Sequence, residues 1–462
     1  MLKMLLLRRK YLRRFAAMSI ICIMYLLVFH WLIQKTRNST GLNEKDTDVF
    51  YPTVIDLKHD TVRFQSLVSS IKHHNSVQSN SVVSSLENYY FVKFNSVISS
   101  SRDHSLVRGC REQTNFVFIK CMKCATETLG TVLRRFGYIR KLSFVTPVGR
   151  NFYLGWPYQM TKYDYQPSER PFNIIMEHSI YNKTTMEALM PANTFYITII
   201  REPYSHFKSV FNYFSLKKIA NVSSEDPVTE YLHNLDKYER VYKSHAVSRI
   251  RPCIPDNFSI TKNLLSHCLG MPLGFPPGSK NITTDTDAVD RYIQQIDNDF
   301  SLVMIMEYFH ESLVLLKRIM CWSFKDIVYW KVNVANYFRK LDPPTEDNVN
   351  IYRKWSVLDY KLYDHFNKTF WRKVQQQGSD FFREVKYFSV IQQKVRNFCR
   401  TRISKNVTFS KTLWNEQLEF TSDDCKPLRQ MLMFAIKRQR QKDENNPQPP
   451  TRTPGDPNTP LC

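Results

Sequence analysis

The sequence predicts an α/β fold, with a largely parallel central sheet flanked by helices and one transmembrane helix ahead of it. Three observations predict it. Short apolar runs bounded by turn residues alternate with segments of helical periodicity, the pattern of strand–helix–strand units. Hydrophobic residues make up 43% of the 462 residues and aromatics 14%, ample apolar surface for a buried core. A charge-free apolar stretch lies near the N-terminus.

That stretch runs from Phe15 to Ile33, and at ~1.5 Å rise per residue it matches a hydrocarbon core. Lys3, Arg8, Arg9, Lys10, Arg13 and Arg14 precede it, whereas Lys35, Arg37 and Lys45 stand against Glu44 after it. The positive-inside rule therefore leaves residues 1–14 cytosolic and everything past the 15–33 anchor lumenal. A cleaved signal peptide is the alternative; the run exceeds the usual apolar region of about 7–15 residues and no small-x-small site follows it. Sequons at Asn38, Asn182, Asn221, Asn257, Asn281, Asn367 and Asn406 fit a lumenal chain. Residues 34–111, rich in Ser and Asn, read as a stem, 112–437 as the main domain, and 438–462 as a Pro-rich disordered tail.

A formal charge of +23 calls for an anionic partner. In a lumenal chain that means phosphorylated ligands, acidic glycans or anionic lipids, and no nucleic acid. Of the 10 cysteines, Cys253 with Cys268 and Cys399 with Cys425 suggest local disulfide loops. Cys121 and Cys124 form a C-x-x-C, open to thiol chemistry, zinc or a disulfide that would stiffen the loop. Neither a thioredoxin-like unit nor a second close Cys/His pair accompanies them.

Strands are expected over Asn115–Lys120, Phe172–Met176, Thr194–Ile200, Leu302–Met306 and Ile327–Val332. Helices are expected over Glu127–Phe136, from Pro203 to about Phe214, over Glu311–Met320, and as one long amphipathic element over Tyr352–Val374.

The segment from Phe116 to Leu133 has the layout of a phosphate-binding loop: an apolar strand, a short turn carrying Lys123, hydroxyls at Thr126 and Thr128, then a helix. Such a turn aims backbone N–H groups and the positive helix end at an anion, and lysine adds a point charge. The pattern is not G-x-x-x-x-G-K-S/T, so the ordinary nucleotide-hydrolase motif is absent. In the second segment Arg201 follows a strand and Ser209 stands eight residues on, along the next helix. An arginine at a strand's carboxyl edge can grip a second phosphate bidentately.

Two stretches, I-K-C-M-K-C-A-T-E-T (Ile119–Thr128) and I-R-E-P-Y-S-H-F-K-S-V-F-N-Y-F (Ile200–Phe214), carry a specific resemblance. They resemble L-K-T-H-K-T-[AG]-S-S-T and L-R-D-P of the galactose 3-O-sulfotransferase family of Golgi enzymes, and similarity extends over roughly residues 112–390. The resemblance implies a P-loop-like sulfotransferase fold over 112–437, in a single-pass type II Golgi membrane protein. It implies 3′-phosphoadenosine 5′-phosphosulfate as co-substrate, no metal, and a galactose-terminated glycolipid or glycoprotein as acceptor. By carry-over Lys123, Cys124, Ala125, Thr126, Glu127 and Thr128 would hold the 5′-phosphosulfate, and Arg201 with Ser209 the 3′-phosphate.

His178, matching the histidine of the family's I-C-N-H motif, would be the catalytic base, and Lys123 would stabilise the leaving phosphate. Glu177, in place of that motif's asparagine, is a second candidate base or a group that orients His178. The loop departs from the family where Cys121 and Cys124 stand for threonine, Met122 for histidine and Glu127 for serine; Glu127 is tolerable if it pairs with Arg134 or Arg135. A sulfotransferase for another glycan, such as a glycosaminoglycan uronic acid, and a non-catalytic glycan-binding protein stay open, as does a homodimer.

Overall fold

The structure, a computed structural model, describes residues 110–149, 152–244, 254–332, 345–401, 404–443 and 450. All fall in the unit spanning Arg102–Cys462. The expected anchor at 15–33 and nearly all of the stem lie outside the described residues. Among the described residues no helix is long and apolar enough to cross a membrane.

Four strands form the central sheet: β1 (Phe116–Ile119), β2 (Ile174–Ile175), β3 (Phe195–Ile200) and β4 (Leu302–Ile305). Their order is β2-β1-β3-β4 and every pairing is parallel. Parallel strands need crossovers that cover both faces of the sheet, which is why these runs are apolar without alternation and buried throughout β1, β2 and β4. The register sets Ile119 beside Thr198, and Ile200 beside Ile305, so the carboxyl ends of β1, β3 and β4 lie next to one another.

Helix α1 (Thr126–Ile139) follows β1, and α2 (Pro203–Tyr213) follows β3. Then come α3 (Leu235–Lys243), α4 (Thr286–Asp299), α5 (Phe309–Met320), α6 (Glu346–Trp355), α7 (Val357–Gln375) and α8 (Phe381–Thr401). An antiparallel hairpin of β5 (Asn406–Phe409) and β6 (Leu418–Thr421) leads to α9 (Ser422–Arg429) and α10 (Met433–Asp443). One apolar cluster joins the sheet to α1, α4, α5, α7 and α8. A second, built on Phe207, Phe211, Tyr231 and Tyr352, joins α2 to α3 and α6.

Several expectations need correction. The strand over Phe172–Met176 keeps only Ile174 and Ile175 in the sheet, because the amide of Asn173 turns to Ser143 (2.8 Å). No strand forms over Ile327–Val332: side chains replace the missing neighbour, Gln392 bonding both the N–H and the C=O of Tyr329, and Thr128 bonding Val332. The helix over Tyr352–Val374 is two helices broken at Ser356, whose hydroxyl accepts from the Asn263 N–H (2.9 Å) while Asn263 Oδ1 accepts from Leu358 N–H (3.1 Å). The tail does not begin at 438, since α10 continues to Asp443 with Arg440 buried. Arg440 donates to the carbonyls of Phe144 and Pro167, which ties the C-terminal helix to the strand-side loops.

Disulfides join Cys110 to Cys321, Cys121 to Cys268, and Cys399 to Cys425. The last is the expected local loop. Cys268 takes Cys121 rather than Cys253, and Cys121 is thereby unavailable to Cys124, which is a buried free thiol. A disulfide-bonded Cys121 is neither half of a C-x-x-C dithiol nor a zinc thiolate.

Candidate active site

The site is assembled at the carboxyl ends of β1 and β3, where open parallel sheets bind ligands. Between β1 and α1 the chain turns through two left-handed non-glycine residues, Lys123 (φ 62°) and Ala125 (φ 57°). Left-handed backbone costs a residue with a Cβ about 1–2 kcal/mol, so the turn needs external support. Cys121 is cross-linked to Cys268, the carbonyl of Met122 accepts from His206 Nε2 (2.8 Å), and the carbonyl of Lys123 accepts from Arg201 Nη1 (3.2 Å). Burial pushes the His206 imidazole down to about 3, so it is the neutral ring, protonated at Nε2, that pins Met122.

Lys123 and Arg201, deduced from separate motifs, thus meet at adjacent strand ends. Burial, and then the Arg201 charge, lower the Lys123 pKa, as two cations sharing one place must. The Lys123 ammonium rests 3.8 Å from the ring centre of Tyr213, at the end of α2. Ser209 is on the buried side of α2, three residues beyond His206. At the head of α1 no side chain caps the first turn, and the first helical bond is Leu129 N–H to the Ala125 carbonyl (3.1 Å). Its N–H groups, on Thr126, Glu127 and Thr128, are the ready anion donors of a helix start. Thr128 is tied through its own hydroxyl to Val332, 3.3 Å from that residue's N–H, and Thr126 is buried.

His178 stands past the end of β2, half-buried, with Nδ1 2.9 Å from the Lys120 carbonyl and its ring 5.4 Å from that of Tyr153. A carbonyl only accepts, so Nδ1 carries the proton and Nε2 keeps a lone pair. Burial, and then Lys120, push this imidazole down to about 3, so it is neutral across the physiological range. Lys120, not Glu177, orients His178. Glu177 binds Arg134 through both oxygens (2.8 Å each) and Lys120 (3.4 Å). These cations hold Glu177 far below the usual carboxylate range despite its burial. Glu127 pairs with Arg134 as anticipated (2.7 Å) and also with Lys120 (2.7 Å), while Arg135 instead donates to the carbonyls of Asp326 and Val328.

Two neighbours were not singled out from sequence. Glu307, just past β4, accepts from Glu202 N–H (3.0 Å) and Tyr363 OH (3.2 Å) and lies within electrostatic reach of Arg201. The signal was available, since Glu307 follows its strand much as Arg201 follows β3. Tyr153 had none: it sits in an irregular segment, brought to His178 by the Leu154 N–H bond to the His178 carbonyl (2.7 Å).

A lysine-bearing turn, an uncapped helix start and an arginine at the next strand end thus stand together at one edge of the parallel sheet of an α/β protein. The family described as Galactose-3-O-sulfotransferase matches residues 77–411, and the chain belongs to that family. It is 33% identical over 299 residues to human (Homo sapiens) galactosylceramide sulfotransferase, covering 63% of this chain and 65% of that protein. It is also 31% identical over 267 residues to Mus musculus galactose-3-O-sulfotransferase 3, covering 56% and 57%, and 29% identical over 297 residues to Mus musculus galactose-3-O-sulfotransferase 2, covering 62% and 70%. The chain therefore spans about 65% of the length of the first of these relatives.

Proposed function

We propose that this protein transfers a sulfo group from 3′-phosphoadenosine 5′-phosphosulfate to the 3-hydroxyl of a galactose residue on a glycolipid or glycoprotein. The observation that carries the proposal is the meeting of Lys123 and Arg201 at neighbouring strand ends, the Arg201 guanidinium 3.2 Å from the Lys123 carbonyl. A donor with two separate phosphate groups fits this pair and the uncapped α1 start. Lys123 and the turn to Thr128 hold the phosphosulfate end; Arg201, with Ser209, holds the 3′-phosphate. His178 Nε2 accepts the galactose hydroxyl proton as that oxygen forms its bond to sulfur. The sulfur–oxygen bond to the donor phosphate breaks, and Lys123 stabilises the charge left on the phosphate.

Relatives named for galactose and galactosylceramide support the acceptor. A Golgi type II membrane topology is part of the same proposal. Asn221, Asn257, Asn281 and Asn406 are exposed, as glycan acceptors must be; Asn182 and Asn367 are half-buried, and Asn38 lies outside the described residues.

The test is turnover of sulfur-labelled donor with a panel of β-galactosides and heparan chains, together with calorimetry using adenosine 3′,5′-bisphosphate. Label on O3 of galactose is expected. Lys123→Ala should lower kcat by about 10²–10³-fold and His178→Ala by about 10²–10⁴-fold, with folding intact. Labelling of heparan alone, or no bisphosphate binding, would refute the reading.

A further inference from the structure

Both acidic departures from the family motifs, Glu127 for serine and Glu177 for asparagine, converge on the same two cations. Glu127 lies 2.7 Å from Lys120 and 2.7 Å from Arg134; Glu177 lies 3.4 Å from Lys120 and 2.8 Å from Arg134. Each carboxylate touches each cation, and three of the four side chains are no more than 5% exposed, Glu127 being 20% exposed. A closed, neutral ring of this kind tolerates burial, whereas loss of one member leaves an odd charge behind. Its placement makes it more than ballast. Lys120 contributes its ammonium to the ring and its carbonyl to His178 Nδ1 (2.9 Å), while Glu127 belongs to the first turn of α1, inside the phosphate loop.

We propose that Glu127 is a positioning residue which, through the charge ring on Lys120, Arg134 and Glu177, couples the phosphate loop to the orientation and basicity of His178. The proposal rests on the reading of His178 as the base. The charged and titratable groups around that imidazole are Lys120 from the end of β1, Glu127 on α1 and the neighbouring Glu177, with the Tyr153 ring against it. Arg134 on α1 and Lys437 on α10 act on it through Glu177. Glu177, Glu127 and the Lys120 carbonyl that accepts from Nδ1 favour the imidazolium that forms when His178 takes a proton, and the Lys120 ammonium opposes it. The Glu127 carboxylate also opposes any anion at the loop. One residue thus acts with opposite signs on two steps: it favours proton transfer and disfavours donor affinity.

The test uses the full chain carrying Glu127→Gln, which keeps shape and removes charge. Turnover with labelled donor and a β-galactoside is expected to fall about 10- to 100-fold, the scale of a misplacement of about an ångström. Affinity for adenosine 3′,5′-bisphosphate should be unchanged or tighter, and the acid limb of kcat should move to lower pH. Glu127→Asp, which keeps the charge with a shorter reach, should show the kcat loss in smaller measure, about threefold, with bisphosphate affinity unchanged; it carries the test if the Gln variant does not fold. A Gln variant with unchanged kcat and pH profile, or with kcat and bisphosphate affinity lost together, overturns the proposal. His178→Ala separates the two readings. Retained turnover in that variant defeats the base assignment, whereas its loss beside a normal Glu127→Gln defeats only the positioning role.

Discussion

At the scale of single residues, the site is governed by which polar atom is left over once the structural bonds are made. His178 commits Nδ1 to the Lys120 carbonyl, and His206 commits Nε2 to the Met122 carbonyl; the first keeps a lone pair on Nε2, and the second is a brace. Because burial lowers the His178 pKa to about 3, protonation does not silence it near neutrality. The kcat profile should accordingly hold level as pH falls through 6.5, the ordinary histidine value, and decline only below it; an acid limb at about 6.5 would show that His178 titrates as an exposed imidazole. Arg201 commits one nitrogen to the Lys123 carbonyl and is 8% exposed, so its planar fork is held in place before any ligand arrives. Arg201→Lys keeps the charge and loses the fork. Calorimetry should show bisphosphate binding weakened by about 1.5–3 kcal/mol, the worth of a hydrogen bond to a charged group.

At the scale of elements, α1 is entered straight from the Lys123–Ala125 turn and makes a close helix–sheet contact near its end. A Cβ on Gly137 would collide with the Phe144 ring and with Ile174 of β2. Gly137→Ala should therefore destabilise the protein by about 1–3 kcal/mol, read as a lower Tm. The apolar runs that became β1, β3 and β4 were legible because strands buried on both faces leave little room for polar residues. The segment Ile327–Val332 looked the same yet pairs with no strand, since Gln392, Thr128 and Arg135 satisfy its backbone from a distance that no local pattern reports. Ser356 hid the break between α6 and α7 for the same reason: its partner is Asn263, remote in sequence. Arg201 could be read because it follows β3 directly, and Lys123 because it lies in the short turn between β1 and α1; Tyr153 could not, because an irregular segment brings it to the site.

At the scale of the whole molecule, covalent links do what sheet and core leave undone. Cys121–Cys268 closes across 147 residues of sequence and fastens the start of the turn between β1 and α1. Replacing both cysteines with serine removes a link whose worth is typically about 2–4 kcal/mol, and adenosine bisphosphate affinity should drop with Tm; a lower Tm at unchanged affinity would mean that the other braces suffice to hold the turn. Cys110–Cys321 acts elsewhere. Gln113 already bonds Met320 through its N–H (2.9 Å) and Trp322 through its carbonyl (2.9 Å), so the chain entering the domain is riveted to the end of α5 before it reaches β1. A mechanical pull arriving along the polypeptide ahead of Cys110 is consequently diverted through sulfur into α5, and β1, with the Lys123 turn beyond its far end, is shielded from the load.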